Sequence, residues 1–301
     1  MLLVLINGMK IQRIELSGEL GIVNAARVSF GKWKANLDDT DKKLIQYLKD
    51  HNHWTPFAHP QVICLFAFDD DIQELMGYYD KLLFAGIEIA DRYVRFSLYS
   101  YNQIKDKLPP HAIINNPNDK ELLELIKEYG IGKMSRIPYM QFRIKAPIFV
   151  VRQLDKHQIG MVKNEKSGRY VKTDPEFWQP KKWRKQSFSN KQGSIPYTSI
   201  AEKWATLNHK YLDYHDILLI INDWYKNNVE NGMCAEQART ILPLSTYTEF
   251  VWTGSLQDFV RICNLRLKPD AQQETRECVQ AIYDLCMAEY PTTFDLIAKF
   301  L

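Results

Sequence analysis

The chain has 301 residues, 46% hydrophobic and 25% charged, an ordinary globular balance with enough length to bury a substantial core in one large domain or two ordinary ones. Thirty-nine basic against 36 acidic side chains leave a formal +3, too little to hold a nucleic-acid polymer electrostatically, so any anionic ligand is expected to be small. Five cysteines, Cys64, Cys234, Cys263, Cys278 and Cys286, form no C-x-x-C pair and none has a histidine at metal-ligand spacing, which predicts reduced, buried thiols.

In chain order, Leu2–Ile6 reads as a strand. The N-terminal stretch carries no basic n-region and turns polar at Asn7, so it does not read as a signal peptide. No apolar run reaches the length of a membrane span, and cytoplasmic (intracellular) residence without a membrane partner is the expectation. Strand-like runs follow at Val62–Phe68 and Phe142–Val151. Between them, residues 69–140 carry two amphipathic helical patterns, Asp71–Phe84 and Asp119–Tyr129, around a proline- and asparagine-rich loop, and read as a mostly helical insertion in a single domain spanning 1–301. Helical periodicity is clearest over Ser199–Asn228, with Ser199 and Glu202 as a capping box. Further helices are predicted at Met233–Leu242, Leu256–Leu265 and Ala271–Glu289, with a β-rich stretch at Tyr247–Thr253 and a stop at Pro291. The mixture predicts an α/β or α+β fold.

Three stretches carry chemistry. Arg152–Tyr170 crowds Gln153, Lys156, His157, Asn164, Glu165, Ser167 and Arg169 into one helix-to-loop passage, and such groups are costly to bury unless something pairs with them. Ser167, the N–H of Gly168 and the forked guanidinium of Arg169 suit phosphate oxygens, whereas Glu165 accepts hydrogen bonds a phosphate cannot. A solvated amphipathic helix with a capped turn is the plainer reading of the same residues. In Ala238–Gln272, Arg239 and Arg266 stand in apolar surroundings; an anion or an electron-rich ring edge would compensate them, and so would salt bridges to Glu236 or Glu249. His53-Trp54-Thr55-Pro56-Phe57-Ala58-His59 brackets an aromatic turn with two histidines, but no third ligand joins them, so a cofactor contact or plain packing is expected rather than a metal. No G-x-G-x-x-G, P-loop or G-x-S-x-G occurs.

Together these stretches resemble the flavin-dependent thymidylate synthases, whose H-x-T-P-F-x-H turn, R-Q…R-H-R…N-E-x-S-x-R-Y signature and A-R-x-x-L-P…T-x-x-x-W-T…L-R…A-Q tail occur in this order. The likeness covers Asn24–Ser29, His53–Gln61, Arg143–Arg169 and Ala238–Gln272. It implies a homotetrameric α/β fold with active sites between subunits. It also implies reductive methylation of dUMP to dTMP, with FAD as cofactor and NADPH and 5,10-methylenetetrahydrofolate as co-substrates. By position, the resemblance assigns Gln153, Lys156, Glu165, Ser167, Gly168, Arg169, Arg239 and Arg266 to dUMP. It assigns Ser29, His53, Thr55, His157, Ile159, Asn164, Ser255, Gln257, Arg261, Leu265 and Asp270 to FAD. Three departures stand out: R-H-R reads Lys156-His157-Gln158 with an extra residue before Asn164, the histidine before A-Q is Asp270, and the acidic residue of the T-P-F turn is Ala58.

The implied chemistry needs negative charge stabilised on a uracil ring made nucleophilic at C5, and Arg266 is the candidate catalytic group. The cysteine contexts show no sequence-adjacent base, so a nucleophilic thiolate is not expected. Two alternatives are weighed. One is a related flavoenzyme making a hydroxymethylated pyrimidine nucleotide. The other is a nucleic-acid-binding module built on Lys181, Lys182, Arg184, Lys185 and Lys191 with Trp183 and Phe188.

Overall fold

Leu3–Ile6 (β1) and Met9–Arg13 (β2) form a hairpin because Asn7 and Gly8 both take positive φ, 47° and 81°, the two-residue turn whose twist matches paired strands. A side chain on Gly8 would also strike the Tyr247 hydroxyl. The hairpin is one edge of a five-stranded sheet ordered β1-β2-β7-β13-β8, where β7 is Tyr139–Pro147, β13 is Tyr247–Ser255 and β8 is Val162–Glu165. A second sheet of four strands runs β4 (Ile87–Ala90), β5 (Tyr93–Ser97), β3 (Gln61–Phe66), β6 (His111–Ile114). The computed structural model describes residues 2–68, 71, 75, 87–169, 174–188, 193–197, 205–207 and 210–301, and every strand pairing among them is antiparallel. The class is therefore α+β with antiparallel sheets.

Alternation sets the two faces of the main sheet. Met140, Phe142, Ile144 and Ala146 of β7 and Phe250 and Trp252 of β13 point into the main core, where Leu256–Arg266 and Gln273–Glu289 pack as helices. The intervening Arg143 and Lys145 point the other way. Val251, on that second face, packs with Ile14, Leu16, Ala25 and Val28. The Leu256–Arg266 helix starts where it does because Ser255 and Asp258 cap each other: the Asp258 N–H donates to Ser255 Oγ, and the Ser255 N–H donates to the Asp258 carboxylate.

Several expectations shift. The apolar Ile148–Leu154 is a helix rather than the end of a strand: Pro147, still extended, is the last strand residue and the N-cap, and Val150, Val151 and Leu154 then share one buried face at helical spacing. Of the expected Ser199–Asn228 helix, the described residues are helical from Tyr214 to Glu230, where Asp213 and Asp216 form the capping box; Ala205–Leu207 and Lys210–Leu212 pair as a hairpin before it, and Ser199 and Glu202 lie outside the described residues. Met233–Leu242 holds only a helical turn, Ala235–Ala238, and a 3-10 turn, Arg239–Ile241, since Pro243 turns Leu242 extended. The segment 69–140, expected to be mostly helical, supplies β4, β5 and β6 as well as the Asp119–Tyr129 helix. Most of Asp71–Phe84 lies outside the described residues. Ala90, Leu122 and Ile126 from this segment join the main core, and Asp119 accepts from the backbone N–H groups of Thr292 and Thr293, pinning the Thr293–Phe300 helix. Four cysteines are buried as expected, but Cys234 is exposed, since it precedes a one-turn helix at the surface.

Asp41 has a fully buried side chain held by Arg27 at 2.7 Å and Lys34 at 2.9 Å. Burial raises its pKa, but hydrogen bonds to Lys34, the Asp38 backbone and Arg27 prevail and hold it below the ordinary 3.8. A depressed carboxylate stabilises the fold above its unfolded value, and that contribution is lost as pH falls through the folded one. We therefore expect Asp41→Asn to flatten the loss of melting temperature seen on acidification below pH ~4. An acid limb identical to the wild type would remove Asp41 from it.

Candidate active site

The C-terminal end of β8 stops at Glu165 while β13 continues, which leaves the edge of Tyr247–Glu249 open on that side. Lys166 leaves the strand by donating its N–H to the Glu249 carbonyl, and Ser167 donates its N–H to the Ser29 carbonyl. On the other side Tyr247 donates its N–H to the Glu176 carbonyl, so residues 174–177 run along the same edge. A cleft of about 320 Å³ lies between these segments. Glu165, Gly168 and Arg239 line it together with Arg143, Lys145, Tyr247 and Glu249.

The charges in this cleft are partly matched. Arg143 donates from Nε and Nη2 to one oxygen of Glu249, at 2.8 and 2.6 Å, and its guanidinium lies 4.7 Å from the Trp33 ring centre. Lys145 pairs with Glu176, while Glu165 accepts from the Thr248 hydroxyl and pairs with Lys163. Arg239 has no acidic partner among the described residues. Its stem lies against Gly168, where a Cβ would come within 3.1 Å of Arg239 Cδ, so glycine is what lets the loop and the arginine approach so closely. Arg169 pairs with Glu236 at 3.2 Å with both side chains half exposed, a surface pair that a ligand can displace at little cost. The salt bridges weighed for Arg239 and Arg266 are thus taken elsewhere: Glu249 serves Arg143 and Glu236 serves Arg169.

Arg266 stands at the last turn of its helix and donates from Nε to His157 Nε2 at 2.9 Å and from Nη2 to the Gln153 carbonyl at 3.0 Å. Neither partner carries negative charge, so the guanidinium keeps its full positive charge. For His157 Nε2 to accept, the ring must be neutral with its proton on Nδ1. Burial, then the charges of Arg266 and Arg261, lower the His157 pKa below 6.5. As pH falls through 6.5 the unfolded chain takes up that proton first, so His157 leaves stability undiminished above 6.5 and lowers it as pH approaches the folded value. Ring nitrogen NMR at pH 7 should show neutral His157 with Nδ1–H; an imidazolium would contradict the Arg266 contact.

A smaller hollow of about 200 Å³ gathers Lys156, His157, Ile159 and Arg261 beside Asp258, and Ile159 is 84% exposed there. Ser255 and Gln257 are buried in the adjoining helix start, where Gln257 accepts from the Ser135 hydroxyl. Asn164 accepts from His59, whose Nδ1 in turn accepts from Thr253 Oγ1 at 2.8 Å; His59 is fully buried, and burial pulls its pKa down to about 4. His53 is instead exposed, edge-on to Tyr47, and Thr55 is exposed next to it. Leu265 and Asp270 are exposed near the far end of the Leu256–Arg266 helix. The chain therefore brings Glu165, Gly168 and Arg239 to one cleft and Gln153, Lys156, His157, Ile159, Arg261 and Arg266 to a second region. His53 and Thr55 belong to neither cleft. No group of three or more potential metal ligands occurs among the described residues.

Sequence reasoning passed over Arg143, Lys145 and Tyr247, and named Glu249 only as a salt-bridge partner for other arginines. Their signal was the alternation of Phe142-Arg143-Ile144-Lys145 and of Tyr247-Thr248-Glu249-Phe250, which puts polar groups at alternate positions of two strands paired over nine residues. Burial pushes the Cys64, Cys263 and Cys278 thiols up to about 12, which keeps these three protonated near neutral pH.

A family model described as thymidylate synthase complementing protein matches residues 85–292. The chain is 34% identical over 183 residues to a flavin-dependent thymidylate synthase of Thermus thermophilus, covering 61% of this chain and 65% of that protein, so the match spans about two thirds of that relative's length. It is also 34% identical over 291 residues to a flavin-dependent thymidylate synthase of Wolbachia pipientis, covering 95% of this chain and 72% of that one. Among solved structures, a UMP/dUMP methylase from Streptomyces cacaoi bound with 5-Br UMP is similar at a TM-score of 0.47 and 17% identity, with 97% of this chain and 94% of that chain covered. No helix among the described residues is long and apolar enough to cross a membrane.

Proposed function

The chain belongs to the thymidylate synthase complementing protein family, and from that premise we propose that it is a flavin-dependent thymidylate synthase, converting dUMP to dTMP with methylenetetrahydrofolate as carbon donor and NADPH as reductant. The observation that carries this reading is Arg239. It is a guanidinium with no acidic partner among the described residues, held against Gly168 in a cleft that also offers the Glu165 carboxylate as an acceptor. A nucleoside monophosphate supplies both complements, phosphate oxygens for the arginine and N–H or O–H groups for the carboxylate. Ser167, Gly168 and Arg169 border the same loop, and Gln153 and Lys156 approach from the Arg266 side.

Arg266 is the candidate for stabilising negative charge on the uracil edge. Its charge is oriented by His157 and the Gln153 carbonyl without being neutralised. Ser29, whose carbonyl holds Ser167, and Asn164, held by His59, lie close to that loop and would border the flavin. The hollow beside Asp258 offers Lys156, His157 and Arg261 to an anionic cofactor, so the donor set fits FAD in chemical type. At about 200 Å³ it has room for only part of such a molecule, and Asp258 already occupies the helix start. Lys156, His157 and Arg261 would hold such a group, which when bound and reduced would supply the reducing equivalents. That the two clefts are separate in one chain, with His53, Thr55, Leu265 and Asp270 exposed away from them, supports a homotetramer with shared active sites. Ser255 and Gln257 then act from within the helix start by fixing the position of Arg261. Purified protein should be yellow or take up FAD, and NADPH should bleach it. Colourless protein that neither binds FAD nor makes dTMP would overturn the reading.

A further inference from the structure

A chain of hydrogen bonds runs along the second face of the main sheet, and each group in it has one consistent role. The strand register assembles it: Gln141 lies opposite Thr253, and Asn164 lies opposite Val251, two residues away on the same strand, so the three side chains share that face. The turn Thr55–Ala58 brings His59 onto them. Gln141, Thr253 and His59 are all buried. Gln141 is the fixed end. Its Oε1 accepts from the Leu16 N–H at 2.7 Å and its Nε2 donates to the His59 carbonyl at 2.6 Å, so turning the amide over would set donor against donor and acceptor against acceptor. The other Nε2 hydrogen goes to Thr253 Oγ1 at 3.4 Å. Since Nε2 cannot accept, the Thr253 hydroxyl has only His59 Nδ1, at 2.8 Å, to donate to among the described residues. Nδ1 is then bare, the ring proton sits on Nε2, and Nε2 donates to Asn164 Oδ1 at 3.3 Å. Burial, which draws the His59 pKa down to about 4, keeps the ring neutral near neutral pH. With its oxygen committed inward, Asn164 is only partly buried, and its Nδ2 has no hydrogen-bond partner among the described residues.

We propose that Gln141, Thr253 and His59 are positioning residues: they fix His59 as the Nε2–H tautomer and so hold Asn164 with its amide nitrogen outward, a donor and not an acceptor towards what binds beside it. The alternatives are costly. Turning the Asn164 amide over would set its NH2 group against His59 Nε2–H, and moving the ring proton to Nδ1 would set it against the Thr253 hydroxyl hydrogen, so each leaves buried donors facing one another. Specificity follows from this. A group meeting Asn164 must offer an acceptor, such as a carbonyl oxygen, an unprotonated ring nitrogen or a phosphate oxygen, and a ring N–H is refused. The identity of that group rests on the flavin reading above, whereas the relay is a property of the chain alone.

Ring-nitrogen NMR of the full-length protein at pH 7 tests the relay without any cofactor. His59 should be neutral with its proton on Nε2, the opposite tautomer to His157. Thr253→Val removes the hydroxyl that keeps Nδ1 bare and should let the Nδ1–H tautomer appear, whereas Thr253→Ser should keep the wild-type signal. Titration with FAD tests the outward donor. Asn164→Asp leaves an oxygen for His59 Nε2–H but puts a second oxygen where Nδ2 stood. In high salt, which screens the added charge, its affinity for FAD should fall about tenfold with no loss of melting temperature. Three results would overturn the proposal: an Nδ1–H or doubly protonated His59 in the wild type, a tautomer unchanged in Thr253→Val, or FAD bound as tightly by Asn164→Asp as by the wild type. The tautomer is read without ligand, so the relay fails on the NMR result and the flavin reading fails on absent FAD binding, and the two failures are told apart.

Discussion

Arg266→Ala is expected to lower turnover of dUMP by about two to three orders of magnitude, roughly 2.7–4 kcal/mol of transition-state stabilisation, the range seen when one preorganised charge-stabilising donor is removed. The reason lies in its partners. A guanidinium already neutralised by a carboxylate would have little field left for a developing enolate, whereas neutral His157 and a backbone carbonyl fix its direction and leave its charge intact. Arg266 is not a core residue, so the variant should unfold at nearly the wild-type denaturant concentration. The two measurements belong together. Lost activity with unchanged stability assigns Arg266 to the chemistry, and retained activity removes it. A Lys at 266 keeps the charge but loses the fork, so it should recover part of the loss at most.

The second large effect is structural. Phe259 is fully buried and packs edge-to-face against both Phe142 at 4.9 Å and Trp252 at 5.5 Å, tying the Leu256–Arg266 helix to the two central strands. Truncation to alanine removes the ring's transfer energy and leaves a cavity between elements that cannot easily collapse, for a loss of about 3–5 kcal/mol. Most domains have only about 5–15 kcal/mol in total, so Phe259→Ala should bring the urea midpoint down sharply. Because that helix carries both Arg261 and Arg266, flavin binding and activity should fall with it. A midpoint shifted by less than about 1 kcal/mol in free energy would mean the site can repack, against what close-packed interiors allow.

The central strands and the Gln273–Glu289 helix were legible because their patterns are local: period two in Met140–Ala146, and helical spacing ended by Pro291. The strands at Ile87–Ala90 and Tyr93–Ser97 also alternate and pair with each other, but Tyr93–Ser97 is anchored in the sheet by Gln61–Phe66, far back in the chain, and helical patterns on either side masked them. The charged residues of the site were legible as residue types. Their partnerships were not, since Arg266 meets His157 across 109 positions and Arg143 meets Glu249 across 106, pairings that only the sheet register and helix packing create. His53 and His59 look equivalent in sequence, yet one is exposed and the other buried. The turn Thr55–Ala58 buries Pro56, Phe57 and Ala58 and carries His59 inward with them. The basic run at Lys181–Lys185 read as one uniform patch, and only the fold shows that Glu274 takes Arg184 out of it.

The most direct test of the account is the identity of the product. Purified protein supplied with FAD, NADPH, methylenetetrahydrofolate and dUMP should yield a nucleotide with the mass of dTMP, in an amount that follows NADPH consumed. Hydroxymethyl-dUMP in its place, or unchanged dUMP from protein that has bound flavin, would contradict it.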